Sequence, residues 1–242
     1  FGGALRDGLR DNRVDITDVV IDEGQPSGVA LITVETRGEN TIIVVPGANG
    51  AVGDADLQRL QAALNDARLL LLQLEVPLPA VVSAARAAHE RGVLVMLDPA
   101  PAQPLPAELY SLVDILTPNA TEAEMLVGFP IKGEAAARGA GKALLERGVR
   151  TAVIKLGEKG VYWSEANGLD EFMGAFPVQV VDTVAAGDAF NGGLATALSE
   201  NAPFAEAIQW GLAAGGLAVT KQGAQPSLPN RQALLTLLGQ HT

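Results

Sequence analysis

The run Asp182-Thr183-Val184-Ala185-Ala186-Gly187-Asp188-Ala189-Phe190-Asn191-Gly192-Gly193 leaves an apolar stretch and enters a segment whose apolar residues Phe190, Leu194, Ala197 and Leu198 recur at helical spacing. Ala185, Ala186 and Gly187 carry almost no side chain, so backbone amides at the helix start can approach an anion closely, and the helix dipole favours negative charge there. The segment reads as a phosphate cradle. Asp188 falls in the first turn beside those amides. A carboxylate there can accept a proton from an alcohol while the amides stabilise charge growing on a transferred phosphoryl group. The alternative is that Asp188 only caps the helix, and the segment alone does not decide between the two.

Residues of this kind need a scaffold that brings distant segments to one edge. Leu69 to Leu74, Val93 to Leu97, Ile115 to Leu116 and Ala152 to Leu156 are continuous apolar runs that read as strands buried on both faces. Helical patterns over Pro79 to Arg91, Thr121 to Val127 and Ala135 to Arg147 separate them, and crossovers of that length make the strands parallel. The expected fold is a doubly wound, mostly parallel α/β sheet covered by helices on both faces. Val29 to Val34 and Thr41 to Val45, joined by the polar Glu35 to Asn40, read instead as a β hairpin beside the body. Polar Glu165 to Glu171 reads as a turn region and Val178 to Val181 as a last strand. Helices follow from Ala189 to Val219, with a break at Pro203, and from Arg231 to Leu238. In an open parallel sheet, ligands sit beyond the carboxyl ends of the strands, which here offer Glu75, Asp98, Asn119, Gly157 and Asp182. Asp98, followed by Pro99, reads first as a turn residue.

Composition removes several function classes. The 242 residues have no cysteine, so no disulfide frame or thiolate chemistry is available, and a cytoplasmic setting is expected. A net charge of -11 without a Lys/Arg cluster argues against nucleic acid as a partner. No apolar run approaches the roughly 20 residues that a membrane span needs, so no membrane partner is expected. Gly47 to Gly53 has its glycines three apart and does not fit the dinucleotide fingerprint, and Gly141-Lys142 is followed by Ala143, so it is no P-loop. With only His89 and His241, a histidine triad or zinc site is not expected.

Asp182 to Gly193 resembles the C-terminal motif of the ribokinase-like family of sugar kinases, also called the phosphofructokinase B family. The resemblance continues through Thr117-Pro118-Asn119-Ala120-Thr121-Glu122-Ala123-Glu124, Leu156-Gly157-Glu158-Lys159-Gly160 and Thr220-Lys221-Gln222-Gly223-Ala224-Gln225-Pro226-Ser227. Gln73 to Leu78 and Asp98 to Ala102 are similar to the family's namesake branch. The resemblance implies ATP-dependent phosphorylation of D-ribose at its 5-hydroxyl. The alternatives are a kinase for another sugar or a nucleoside, or a truncated nucleotide-binding homologue without turnover. It implies Asp188 as the base and Ala185, Ala186 and Gly187 as the anion hole. Asn119 and Glu122 would help hold the ATP phosphates and magnesium, and Lys155, Leu156, Gly157, Glu158, Lys159, Gly160 and Leu212 would border the nucleotide. Asp182, Val184, Ala218, Lys221, Gly223 and Ser227 match positions that bind potassium, chiefly through carbonyls, and Glu75 matches a sugar contact.

The same resemblance divides the chain into 1–13, a remnant of the α/β domain's N-terminal part, 14–46, strands of a β lid that also mediates a homodimer, and 47–242, the ATP-binding and catalytic domain. Departures stand beside it. Lys155 occupies a position where a small polar residue is usual, and Leu212 replaces an expected His or Asn. Phe1-Gly2 aligns just beyond an Asn-x-Asp sugar clamp and a Gly-Gly-Lys-Gly-Ala-Asn motif, which predicts a fragment lacking part of the sugar pocket.

Overall fold

The computed structural model describes residues 1–34 and 40–240. Six strands form the main sheet in the order β3 (Leu69–Leu72), β4 (Leu94–Leu97), β5 (Ile115–Leu116), β6 (Thr151–Lys155), β7 (Val161–Glu165) and β8 (Asp170–Met173). The first four are parallel, as the intervening helices require. β7 and β8 then fold back antiparallel. Before the sheet come β1 (Val29–Val34) and β2 (Asn40–Val45), which make the expected hairpin as a separate sheet, with Val29 opposite Val45 and Leu31 opposite Ile43. Glu35 to Glu39 of the expected connecting loop lie outside the described residues.

Alternation along the strands explains why helices cover both faces. Val95 and Leu97, with Leu116, Ala152, Ile154 and Tyr162, point into one apolar core built with α3 (Leu78–His89), α4 (Ala107–Leu112), α5 (Ala120–Val127) and α6 (Glu134–Glu146). Met96, Ile115, Val153, Val161 and Trp163 point the other way, into a second core with α7 (Ala186–Ser199), α8 (Phe204–Ala218) and α9 (Arg231–Gly239). α1 (Gly2–Asp11) and α2 (Asp54–Ala63) precede the sheet; the sequence reading offered neither, nor α4. α7 and α8 approach closely. A Cβ at Gly193 would stand 2.7 Å from the Trp210 carbonyl oxygen, and one at Gly211 would stand 2.8 Å from the Phe190 ring.

One expected strand is corrected. Val178 to Val181 pairs with no strand, and the Val181 amide instead donates to the Val219 carbonyl at 2.8 Å. Among the described residues the last strand is β8, which begins inside the segment read as a turn. Three of its four residues are exposed, so an edge strand of this kind lacks the apolar signature by which strands are found. No helix among the described residues is long and apolar enough to cross a membrane.

Candidate active site

Three neighbouring parallel strands deliver polar residues to one edge: Asp98 after β4, Asn119 after β5 and Lys155 at the end of β6. Asn119 is the N-cap of α5, and its Oδ1 accepts from the Glu122 amide at 2.9 Å. Glu122 returns both carboxylate oxygens, accepting from the Asn119 amide and from Asn119 Nδ2, each at 2.7 Å. This reciprocal cap explains the three-residue spacing. Burial pushes the Glu122 carboxyl above the usual range, and the negative Asp98 acts in the same direction against the hydrogen bond from Asn119.

α7 supplies the cradle. Its N-cap, Ala185, sits at φ 59°, a left-handed conformation that costs an L-residue ~1–2 kcal/mol and is held by the helix it starts. The Ala185 carbonyl accepts from the Ala189 amide at 2.9 Å. The amides of Gly187 and Asp188 therefore lie in the first turn, where a helix has no carbonyl below them and an anion can take their place. Asp188 is exposed in that turn.

A polar tie joins α7 to the strand ends. Lys155 Nζ donates to Asp98 Oδ2 at 2.9 Å, with both side chains nearly buried, and Asn191 Nδ2 of α7 donates to the same oxygen at 2.5 Å. Asp98 thus corrects the turn reading, because its carboxylate spans two elements. Asn191 was missed, and no local spacing could have found it, since its partner lies 93 residues away.

A cleft of about 810 Å³ opens beside this tie. Of the sequence candidates, Asn119, Lys155, Gly157, Glu158, Gly160, Ala186, Gly187 and Leu212 line it. Leu156, Lys159, Glu122, Ala185 and Asp188 do not, although Glu122 is bonded to Asn119 and Asp188 follows Gly187 directly. Phe176, Val178, Val180, Gly215 and Gly216 complete an apolar wall that suits a flat ring. Glu75 is exposed just beyond β3, outside this cleft, and its amide donates to Gln73 Oε1.

The loops expected to hold a monovalent cation meet. Asp182 Oδ2 accepts from the Gly223 amide at 2.9 Å, and its Oδ1 accepts from the Val184 amide at 3.0 Å. The Gly223 bond is the main reason that the Asp182 carboxyl lies below its ordinary range. Val219, next to Ala218, offers its carbonyl to Val181 at 2.8 Å and to Asp182 at 3.2 Å, and Lys221 donates its amide to the Ala218 carbonyl at 3.2 Å. Ser227 is fully buried, with its hydroxyl on the Ala224 carbonyl at 2.7 Å.

A doubly wound sheet with a bare helix head and a carboxylate beside a nucleotide-sized cleft defines a phosphotransferase of the sugar-kinase type, and residues 1–231 match the pfkB family carbohydrate kinases. The chain belongs to that family. It is 42% identical over 238 residues to the ribokinase of Haemophilus influenzae, covering 98% of this chain and 78% of that protein. The structure of Arabidopsis thaliana ribokinase complexed with ribose and ATP aligns with a TM-score of 0.81 at 34% identity, over 88% of this chain and 70% of that one. Ribokinase from Thermotoga maritima aligns with a TM-score of 0.84 at 33% identity, over 98% and 77% of the two chains.

Proposed function

We propose that this chain transfers the terminal phosphoryl group of ATP to the 5-hydroxyl of D-ribose. The observation that carries the proposal is the bare head of α7, with Asp188 in its first turn, set against the strand-end cleft. The likeness to ribokinases at 42% and 39% identity supports ribose over other sugars. Adenine would lie against Leu212, Gly215 and Phe176, with the phosphates running past Asn119 and Lys155 to Gly187. Asp188 takes the hydroxyl proton, the ribose oxygen bonds to the γ-phosphorus, and the bond from that phosphorus to the bridging oxygen breaks, so that ADP leaves with the electron pair. Charge spreading over the transferring group falls on the amides of Gly187 and Asp188.

The oxygen donors suit magnesium: Glu122, whose carboxyl burial pushes up with Asp98's charge acting the same way, is bonded to Asn119 at the strand ends, and the buried Asp98 Oδ1 has no bonded partner among the described residues. Glu122 and Asn119 would hold the ion, which neutralises phosphate oxygens when bound. Potassium suits the Asp182 and Gly223 loops, which the Asp182 carboxylate ties together and which carry the backbone carbonyls of Val184, Ala218 and Gly223. Glu75 is assigned to the sugar side, residues 14–46 to a lid that pairs two copies, residues 47–242 to the catalytic body, and the setting to the cytoplasm.

The test is the full chain with ATP and ribose, deoxyribose, fructose or adenosine, read by phosphorus NMR and ADP release in potassium, sodium and choline salts of equal ionic strength. Ribose 5-phosphate should form with the highest kcat/KM, and potassium should raise the rate several-fold. Turnover of adenosine or another sugar in preference to ribose would overturn the substrate assignment, and equal rates in the three salts would remove the cation loops from the account.

A further inference from the structure

Lys155 is an unusual residue to find inside a sheet end. Its side chain is 12% exposed, and an ammonium has three N–H donors, of which Asp98 Oδ2 takes one at 2.9 Å. Among the described residues no second protein acceptor is bonded to it. A half-paired charge held out of water is costly unless another anion shares it. The bare head of α7 adjoins this charge, because a Cβ on Gly187 would stand 3.4 Å from Lys155 Nζ and 3.9 Å from Asp98 Oδ2. Glycine at 187 keeps this approach open.

The bonded partner of the Lys155 ammonium, Asp98, is in turn held by Asn191. Asn191 is 2% exposed and spends its Nδ2 on Asp98 Oδ2, while its own Oδ1 and Asp98 Oδ1 are buried without partners. Asn191 lies three residues after Asp188, on the same side of α7, so one helix carries both the base and the clamp on Asp98.

We infer that Lys155 is a catalytic residue, its ammonium bridging Asp98 and the terminal phosphate of a nucleoside triphosphate above Gly187, with Asp98 and Asn191 as positioning residues. This role rests on the proposed phosphoryl transfer. Lys155 forms no covalent bond and gives up no proton; its fixed charge meets the oxygens of the terminal group that moves from ATP to the sugar, leaving ADP. The rival role is a purely structural tie between α7 and the sheet.

Calorimetry with ATP and with AMP separates the two, since only ATP carries the terminal phosphate. Lys155→Met should weaken ATP about tenfold or more and AMP less than twofold, and should lower kcat by about 10² with the ribose KM unchanged. Lys155→Arg should restore part of the kcat loss, and Asp98→Asn should lower kcat while leaving AMP affinity intact. Should Lys155→Met fail to fold, amine labelling of the unaltered protein with acetic anhydride, read by mass spectrometry, gives the answer: ATP shields Lys155 and AMP does not. An unchanged ratio of ATP to AMP affinity in Lys155→Met, or equal labelling under both nucleotides, would overturn the role and leave a structural tie. A parent protein that binds neither nucleotide would instead sink the proposed function.

Discussion

Asp188 has two chemical roles open to it, proton acceptor and helix cap, and a single atom separates them. Asp188→Asn keeps the size and the hydrogen bonding of a cap but cannot accept the hydroxyl proton. Turnover should fall by about 10² or more, the usual worth of a general base, with ATP affinity measured by calorimetry unchanged. Near-normal turnover in the variant would leave Asp188 as a first-turn carboxylate that only complements the helix dipole. The bare helix head and the Asn119–Glu122 pairing were legible because Ala185 to Asp188 are consecutive and mostly small, and because Asn119 and Glu122 sit one helical turn apart. Lys155, Asp98 and Asn191 were not legible as a unit. Their contacts span 57 and 93 residues, and long-range pairs formed by strand ends and a returning helix leave no periodicity to read.

The pairing of α7 with α8 is an element-scale feature made by missing side chains. Gly193→Ala would set a methyl 2.7 Å from a backbone oxygen of α8, which cannot swing aside as a side chain could. A loss of about 1–3 kcal/mol is expected from urea denaturation at unchanged slope. One residue earlier, a Cβ on Gly192 meets nothing within 4 Å, so Gly192→Ala should instead gain roughly 0.5–1 kcal/mol. Equal effects at the two positions would mean that the helices do not pack as described. Among the elements, the four parallel strands followed from their unbroken apolar runs and the helices between them. The antiparallel end of the sheet did not, because β8 is exposed along most of its length, and the apolar Val178 to Val181 places Val178 and Val180 on the cleft wall instead of in a strand.

For the molecule as a whole, the hairpin is the part least able to stand alone. Val29, Leu31, Ile43 and Val45 share one face of two paired strands and are all exposed, and Val44 on the opposite face is exposed as well. A two-stranded sheet with that much bare apolar surface is marginal by itself. A second copy covering it is the proposed remedy. Leu31→Glu with Ile43→Lys places opposite charges across one rung, which keeps the hairpin but spoils an apolar contact. Sedimentation should show a dimer for the parent and a monomer for the double variant, whereas equal masses for both would sink the dimer through this face. The sheet itself is a partition. The residues lining its two faces, Leu97 and Ile154 on one side and Met96 and Val153 on the other, share no core. Substitutions drawn from opposite faces therefore have independent costs that sum, and pairs drawn from one face interact. The strand ends are the exception, since there Asn191 from one layer grips Asp98 and, through it, Lys155. Epistasis between the two halves of the protein is therefore expected to concentrate in the proposed phosphate site, so that changes far apart in the body are tolerated singly while the centre constrains their combinations.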